Sequence, residues 1–303
     1  MSFKVRILGS GSAVPTTLRN PTAQYVFCHN RHILIDCAEG TQMLLRQHKI
    51  SLQHIDIVLI SHLHGDHYFG LVGLISTMDL LGREKKLTIY APKNLEKIIR
   101  LQLEFQNFSL GFELEFILLD GKEAKEIYND NIISIKTFPL KHSIPTNGFT
   151  IEEVSKKRRI NKFLFELDKV PIPAAILFKD GKNYTATDGT VYDYLTYTHD
   201  PEPSKKYAYC SDTKYFEQII PHIANADVLY HEATFTKEMQ ERAKKTFHST
   251  AEQAATIAQK ANVKRLILGH LSARYKTVFA HLDEAKPIFE NTYVVSDGDE
   301  IVV

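Results

Sequence analysis

The chain has 303 residues, 44% of them hydrophobic and 24% charged, and its 37 Lys and Arg against 36 Asp and Glu leave a formal net charge of +1. These fractions exclude a disordered chain, and the length gives ample core for one large domain. The near-cancellation of charge excludes a protein that coats nucleic acid through bulk positive charge, but not one with a local basic surface. Fourteen histidines stand out, because histidine is the commonest metal ligand and the usual proton carrier near neutral pH. Cys28, Cys37 and Cys210 form no Cys-x-x-Cys pair. That argues against a disulfide framework or a thiolate zinc site, and for a reducing compartment. Charges interrupt the apolar run at the start of the chain, and no stretch approaches the length of a membrane span. A cytoplasmic protein with no membrane partner is therefore expected.

In chain order, Phe3 to Leu8 alternates apolar and charged residues and predicts a strand. Gly9-Ser10-Gly11-Ser12 reads as a turn rather than a phosphate loop. Tyr25-Val26-Phe27 and Ile33-Leu34-Ile35 predict two strands about a turn near Asn30, and Thr41 to His48 predicts a helix. Ile55 to Ile60 predicts a buried strand, followed by a polar loop and a helix over 68–81. Leu87 to Tyr90 predicts a strand, Asn94 the cap of a helix, and 112–118 and 132–138 two further strands. From about 149 to 200 the rhythm breaks. A charged run, then Pro171 and Pro173, then Gly181 and Gly189 predict an inserted arm rather than a second domain. Strands at 207–210, 228–230 and 265–268 and a helix over 250–261 resume the pattern. Alternating strands and helices predict an α/β fold, with 1–303 as a single domain carrying the arm.

The loop after the 55–60 strand is His62-x-His64-x-Asp66-His67, three imidazoles and a carboxylate within six residues. Nitrogen and oxygen donors without thiolate suit zinc or a similar borderline ion. Gly65 is expected to turn the backbone so that residues on both sides aim at one point. The loop holds more donors than one tetrahedral ion with an open position takes, which predicts two ions sharing ligands from elsewhere. Those ligands are expected at other strand ends, where the loops of a sheet edge converge. His142 follows the strand ending at Phe138, Asp212 follows 207–210, and His270 follows 265–268. Together with the loop they make seven donors.

The His-x-His-x-Asp-His motif, with His142, Asp212 and His270 in that order, resembles the metallo-β-lactamase superfamily. Within it the chain is similar to the ribonuclease Z (tRNase Z) family of tRNA 3′-processing endonucleases. Residues 34–42 resemble that family's early acidic motif, and Thr17-Leu18-Arg19-Asn20 its Arg-Asn loop. His231-Glu232-Ala233-Thr234 matches its His-Glu-Ala-Thr segment, and His248-Ser249-Thr250 and residues 270–275 match two later segments. The likeness runs along the whole chain. It departs at Ala38, where Gly is common, and in the arm, where Val170-Pro171-Ile172-Pro173-Ala174-Ala175 stands in place of a Gly-Pro motif.

The resemblance implies an αββα sandwich of the metallo-β-lactamase type, with the inserted arm serving as an exosite. It implies two Zn²⁺ per subunit, the same donors accepting Mn²⁺ or Fe²⁺. His62, His64 and His142 are then implied on one ion, Asp66, His67 and His270 on the other, and Asp212 between them. Asp66 is also implied as proton acceptor for the attacking water. Two such ions activate water near neutral pH for in-line attack on a phosphodiester. His248 is the candidate general acid for the leaving oxygen, with Glu232 orienting it or sharing its proton. Glu232 is equally open to supporting a metal ligand, and His231 is expected in packing or in contacts behind the ligands. Asp36 either hydrogen-bonds a ligating imidazole or turns the chain.

The implied reaction removes the 3′ trailer from precursor tRNA, leaving a 3′-hydroxyl on the tRNA and a 5′-phosphate on the trailer. The alternative is another superfamily phosphodiesterase or hydrolase acting on a small molecule. Precursor tRNA, not DNA, is the expected partner, met by a homodimer in which each arm serves the other subunit's site. From Lys141 to Lys162, six positive and two negative side chains leave a local +4. Lys156, Lys157, Arg158 and Arg159 are therefore expected on the RNA backbone, with Arg19 and Arg274 also at phosphates.

Overall fold

The alternation that begins at Phe3 builds two seven-stranded sheets, each half antiparallel and half parallel. The computed structural model describes residues 3–105 and 109–303. In the first sheet, Glu300–Val302, Phe3–Gly9, Ala23–Cys28 and Arg31–Ile35 pair antiparallel. Ile57–Leu59, Leu87–Pro92 and Leu114–Leu119 then extend it in parallel from Arg31–Ile35. In the second, Lys125–Asn129 pairs antiparallel with Ile133–Leu140, and Thr146–Glu153 pairs antiparallel with Lys206–Cys210. Val228–Glu232, Leu266–Gly269 and Thr292–Val294 continue in parallel from Lys206–Cys210.

Side chains alternate across a strand, so each sheet has two faces to cover. Val5, Ile7, Ile33 and Ile35 meet Tyr207, Tyr209 and Tyr230 in one core between the sheets. Their chain neighbours Leu8 and Leu34 pack with Leu45, Leu74 and Leu95, from helices Thr41–Gln47, Leu71–Leu80 and Leu95–Phe105. Ala208, Cys210 and Leu229 pack with Ala254, Ala255 and Ala285, from helices Ala251–Lys260 and Phe279–Ala285. The layers therefore run helix, sheet, sheet, helix, the αββα sandwich. Thr250 and Gln253 close a reciprocal capping box at the start of Ala251–Lys260, a device of about 1 kcal/mol.

Three local expectations change. The helix over 68–81 is split into Gly65–Tyr68 and Leu71–Leu80. The break is at Gly70, whose N–H donates to the Cys37 carbonyl at 2.9 Å and where a Cβ would lie 2.0 Å from the Ala38 oxygen. The strands Lys125–Asn129 and Thr146–Glu153 do not show in the sequence. Thr146–Glu153 is buried on both faces and opens with Thr146, Asn147 and Gly148, so it has neither polarity alternation nor an apolar start. It carries residues 149–153, which moves the boundary of the arm.

Glu153–Ser204 forms its own compact unit, in place of 149–200. Two hairpin-sized sheets, Arg159–Ile160 with Thr198–His199 and Tyr184–Thr185 with Val191–Tyr192, frame three short helices. Its core is small and aromatic: Val170, Ala174, Phe178 and Tyr197 are buried, and Phe178 stacks on Tyr197 with ring centroids 5.6 Å apart.

Candidate active site

The strands of the sandwich deliver the donors at their ends. Asp36 follows Arg31–Ile35, and His62 to His67 follow Ile57–Leu59. Asp212 follows Lys206–Cys210, Glu232 ends its own strand, and His270 follows Leu266–Gly269. Asp36, Asp212 and His270 adopt left-handed backbone, with φ of 56°, 58° and 56°. Such turns cost non-glycine residues on the order of 1–3 kcal/mol each and cluster at functional sites. Gly65 does not make its turn this way. It supplies room instead, since a Cβ there would lie 2.2 Å from the Phe69 ring.

The donors converge in two groups. In the first, His64 Nδ1 lies 3.0 Å from His62 Nε2 and 3.1 Å from His142 Nε2. Asp212 Oδ2 is 3.5 Å from His62 Nε2 and 3.6 Å from His142 Nε2. In the second, Asp66 Oδ2 is 3.5 Å from His67 Nε2 and 3.6 Å from His270 Nε2. The other Asp212 oxygen, Oδ1, is 3.2 Å from His67 Nε2 and 3.1 Å from His270 Nε2. Asp212 thus presents one oxygen to each group.

This donor set fits divalent ions. Two zinc–nitrogen bonds of about 2.0–2.1 Å at the tetrahedral angle place their nitrogens roughly 3.3 Å apart, close to the separations seen. Nε2 of His67 and of His270 are buried and make no hydrogen bond, an arrangement that is costly unless something else binds there. Burial, helped by neighbouring imidazoles, holds His62, His64 and His142 below the usual histidine pKa, in the neutral form that binds metal. Burial alone would raise the Asp66 and Asp212 pKa values, but the surrounding histidines outweigh it and lower both. Burial also opposes charge on His67, yet Asp212 and Asp36 raise its pKa well above the usual value. The carboxylates therefore favour positive charge at this point.

Behind the donors, the imidazoles of His62, His67, His142 and His270 are held by their far nitrogens. His142 Nδ1 donates to the Phe247 carbonyl at 3.0 Å, and His67 Nδ1 to Asp36 at 2.8 Å. Glu232 is fully buried and accepts from His248 Nδ1 at 2.8 Å and from the Thr234 hydroxyl at 2.6 Å. Thr234 Oγ1 in turn lies 2.9 Å from His270 Nδ1. Glu232 thus reaches both His248 and, through Thr234, His270, the geometry that either of the roles left open for it needs. Burial would lower the His248 pKa, but the Glu232 charge and hydrogen bond raise it to about 9. His231 is buried, with Nδ1 on the Glu232 carbonyl.

The site opens into a cleft of about 600 Å³ lined by Val14, His64, Asp66, His248, Arg242 and Arg274, among others. Arg274 is thus part of the cleft wall. Arg19 is not aimed the same way: its Nη1 donates to Ser10 Oγ at 2.6 Å and to the Val295 carbonyl at 2.7 Å. Within the arm, Lys156 pairs with Glu153 at 3.5 Å and Lys157 with Asp180 at 2.9 Å. Arg158 pairs with Asp200 and lies over the Tyr194 ring, while Arg159 is exposed. The local +4 is offset elsewhere in the arm, since Glu153–Ser204 holds eight Lys and Arg and eight Asp and Glu.

Sequence reasoning missed Ser61, Thr234, Tyr209 and Arg242. Ser61 and Thr234 lie within or beside motifs that were recognised. Tyr209 could have been found from the inward phase it shares with Tyr207, and Arg242 carried no local signal.

Comparison with known proteins bears on the whole chain. Residues 31–271 match the Beta-lactamase superfamily domain. A ribonuclease Z of Bacteroides fragilis is 40% identical over 296 residues, covering 98% of this chain and 97% of that protein. One of Parabacteroides distasonis is 42% identical over 301 residues, covering 99% of each. The crystal structure of the short form of human tRNase Z superposes with a TM-score of 0.70 at 26% identity, covering 98% of both chains. A metallo-β-lactamase fold protein from Bacillus subtilis, 18% identical, shares the fold with a TM-score of 0.70 over 100% of both chains.

Proposed function

The chain belongs to the ribonuclease Z family of the metallo-β-lactamase superfamily, and from that premise we propose how its residues carry out tRNA 3′ processing. It is a metal-dependent endoribonuclease. In our reading it cuts precursor tRNA after the discriminator base, leaving a 3′-hydroxyl on the tRNA and a 5′-phosphate on the trailer. The observation that carries the reading is the placement of Asp212, with one carboxylate oxygen facing His62 and His142 and the other facing His67 and His270.

His62, His64 and His142 would hold one Zn²⁺, Asp66, His67 and His270 the other, and Asp212 would touch both. When bound, such ions supply an activated water nucleophile and neutralise charge on the phosphoryl oxygens. Asp66 lies at the edge of the cleft and accepts the proton of the attacking water. His248 also lines the cleft, and Glu232 keeps it protonated at neutral pH. It donates that proton to the leaving 3′-oxygen of the tRNA, as general acids do. Arg274 contacts a phosphate near the cut.

The arm grips the tRNA backbone through Lys156, Lys157, Arg158 and Arg159. The pairs of Lys157 with Asp180 and of Arg158 with Asp200 do not oppose this, because pairs to exposed acids contribute only about 0–1 kcal/mol and exchange readily for phosphate. Arg19 instead holds the loop at its own position. Family membership supports a homodimer working in the cytoplasm, and among the described residues no helix is long and apolar enough to cross a membrane. Mapping the 3′ end of a cleaved precursor tRNA, with metal analysis of the same sample, tests the reading. Sizing by light scattering tests the dimer.

A further inference from the structure

Asp36 accepts four hydrogen bonds from three residues. Its Oδ1 takes the Ser61 N–H at 2.7 Å. Its Oδ2 takes the Ser61 hydroxyl at 2.9 Å, His67 Nδ1 at 2.8 Å and the Tyr209 hydroxyl at 2.7 Å. Ser61 Oγ also lies 3.0 Å from His62 Nδ1. With its own hydrogen given to Asp36, Ser61 can only accept from His62. That fixes the His62 tautomer with Nδ1 protonated and Nε2 bare. The direct bond from His67 Nδ1 to Asp36 fixes the same tautomer there. His62 belongs to the first donor group and His67 to the second, so one carboxylate sets a ligand in each.

Tyr209 reaches this carboxylate from the other sheet. It sits on Lys206–Cys210, fully buried, and stacks on Tyr230 with ring centroids 5.2 Å apart. Its hydroxyl crosses the core between the sheets to meet Asp36 at the end of a first-sheet strand. Tyr207, two residues earlier on the same face, also crosses, but its hydroxyl donates to Gln24 and not to the metal edge.

We propose that Tyr209 is a positioning residue which, through Asp36 and Ser61, couples the retention of the two ions. This rests on the dinuclear reading above. The carboxylate must keep its place for both imidazoles to point their Nε2 atoms at the ions, and partners behind metal ligands typically change affinity about 10–100-fold when removed. The residue touches neither ion nor substrate, so its effect should appear in metal retention before it appears in the chemical step.

The test is competition of the zinc-loaded full-length protein against a chromophoric chelator, with both metal equivalents counted, for the wild type, Tyr209→Phe, Tyr207→Phe and Ser61→Ala. Tyr209→Phe removes one oxygen and keeps the stacked ring. We expect both equivalents to leave Tyr209→Phe and Ser61→Ala at chelator concentrations about tenfold or more below those for the wild type. Tyr207→Phe should retain metal like the wild type, although it removes a hydroxyl from the same layer. Unchanged retention in Tyr209→Phe, loss of one equivalent alone, or an equal loss in Tyr207→Phe would overturn the proposal. A wild type holding fewer than two ions would instead sink the dinuclear reading.

Discussion

At the metal edge, the donor imidazoles His62, His67 and His270 have their far nitrogens held by the buried side chains of Ser61, Asp36 and Thr234, whereas in the arm Lys157 and Arg158 are held by acids at the surface. Asp36 and Glu232 are fully buried, and losing one partner there leaves a polar group stranded at a cost of about 1–3 kcal/mol. The partners of Lys157 and Arg158 are Asp180 and Asp200, both exposed. The cores differ in the same sense. The sandwich packs two sheets and their helices through three large apolar clusters, while the arm's apolar core buries only Val170, Ala174, Phe178 and Tyr197. Under the proposed function, the comparison teaches a division of labour: chemistry would be placed where geometry is over-determined, and substrate grip where charges can exchange partners.

Breaking the metal edge should give the largest effect. Asp212→Ala removes the one carboxylate facing both groups. We expect loss of bound metal and a fall in precursor cleavage of at least about 10³-fold, beyond the 10²–10³-fold that a single lost electrostatic contact costs. Metal counting and single-turnover assays check this.

His248→Ala should come next, lowering kcat by about 10²–10⁴-fold while metal content stays intact. The same histidine sets a pH signature. A general acid works below its pKa, so cleavage should be lost as pH rises through about 9. Removing the opposing charge in Glu232→Gln should move that alkaline limb to lower pH. A limb that stays in place would remove His248 from the proton-donor role.

Charge reversal at Lys156, Lys157, Arg158 and Arg159 sharpens the other side of the comparison. KM for precursor tRNA should rise about 10–100-fold and its salt dependence flatten, because phosphate contacts are lost. Hydrolysis of bis(p-nitrophenyl) phosphate should be spared, and equal loss on both substrates would show that the arm is not a separate grip. Phe178→Ala should affect that small ester least of all. It removes about 3–5 kcal/mol from the arm's core, which should open the arm to hydrogen exchange while the sandwich stays protected.

Much of this was legible in the sequence, for identifiable reasons. The strand at Phe3 alternates cleanly, and the buried run at 55–60 leads directly into His62. Three more donors were placed by their position after strands. Thr146–Glu153 was hidden because both of its faces are buried. The inward face of Tyr209 is legible from the phase it shares with Tyr207, but its role is not, because its partner, Asp36, is 173 residues away on the opposing sheet. The basic run at 156–159 does not reveal its own neutralisation, since Asp180 and Asp200, which pair with it, lie outside the charged segment. Local patterns report which face a side chain takes; they do not report which distant group it meets there.

The most direct test of the central claim is to titrate metal-free protein with zinc while mapping the 3′ end of the cleaved precursor tRNA at nucleotide resolution. The account predicts a single cut after the discriminator base, rising in step with about two equivalents of metal per chain. Cleavage by the metal-free protein, or a cut whose position ignores the end of the mature tRNA, would contradict it.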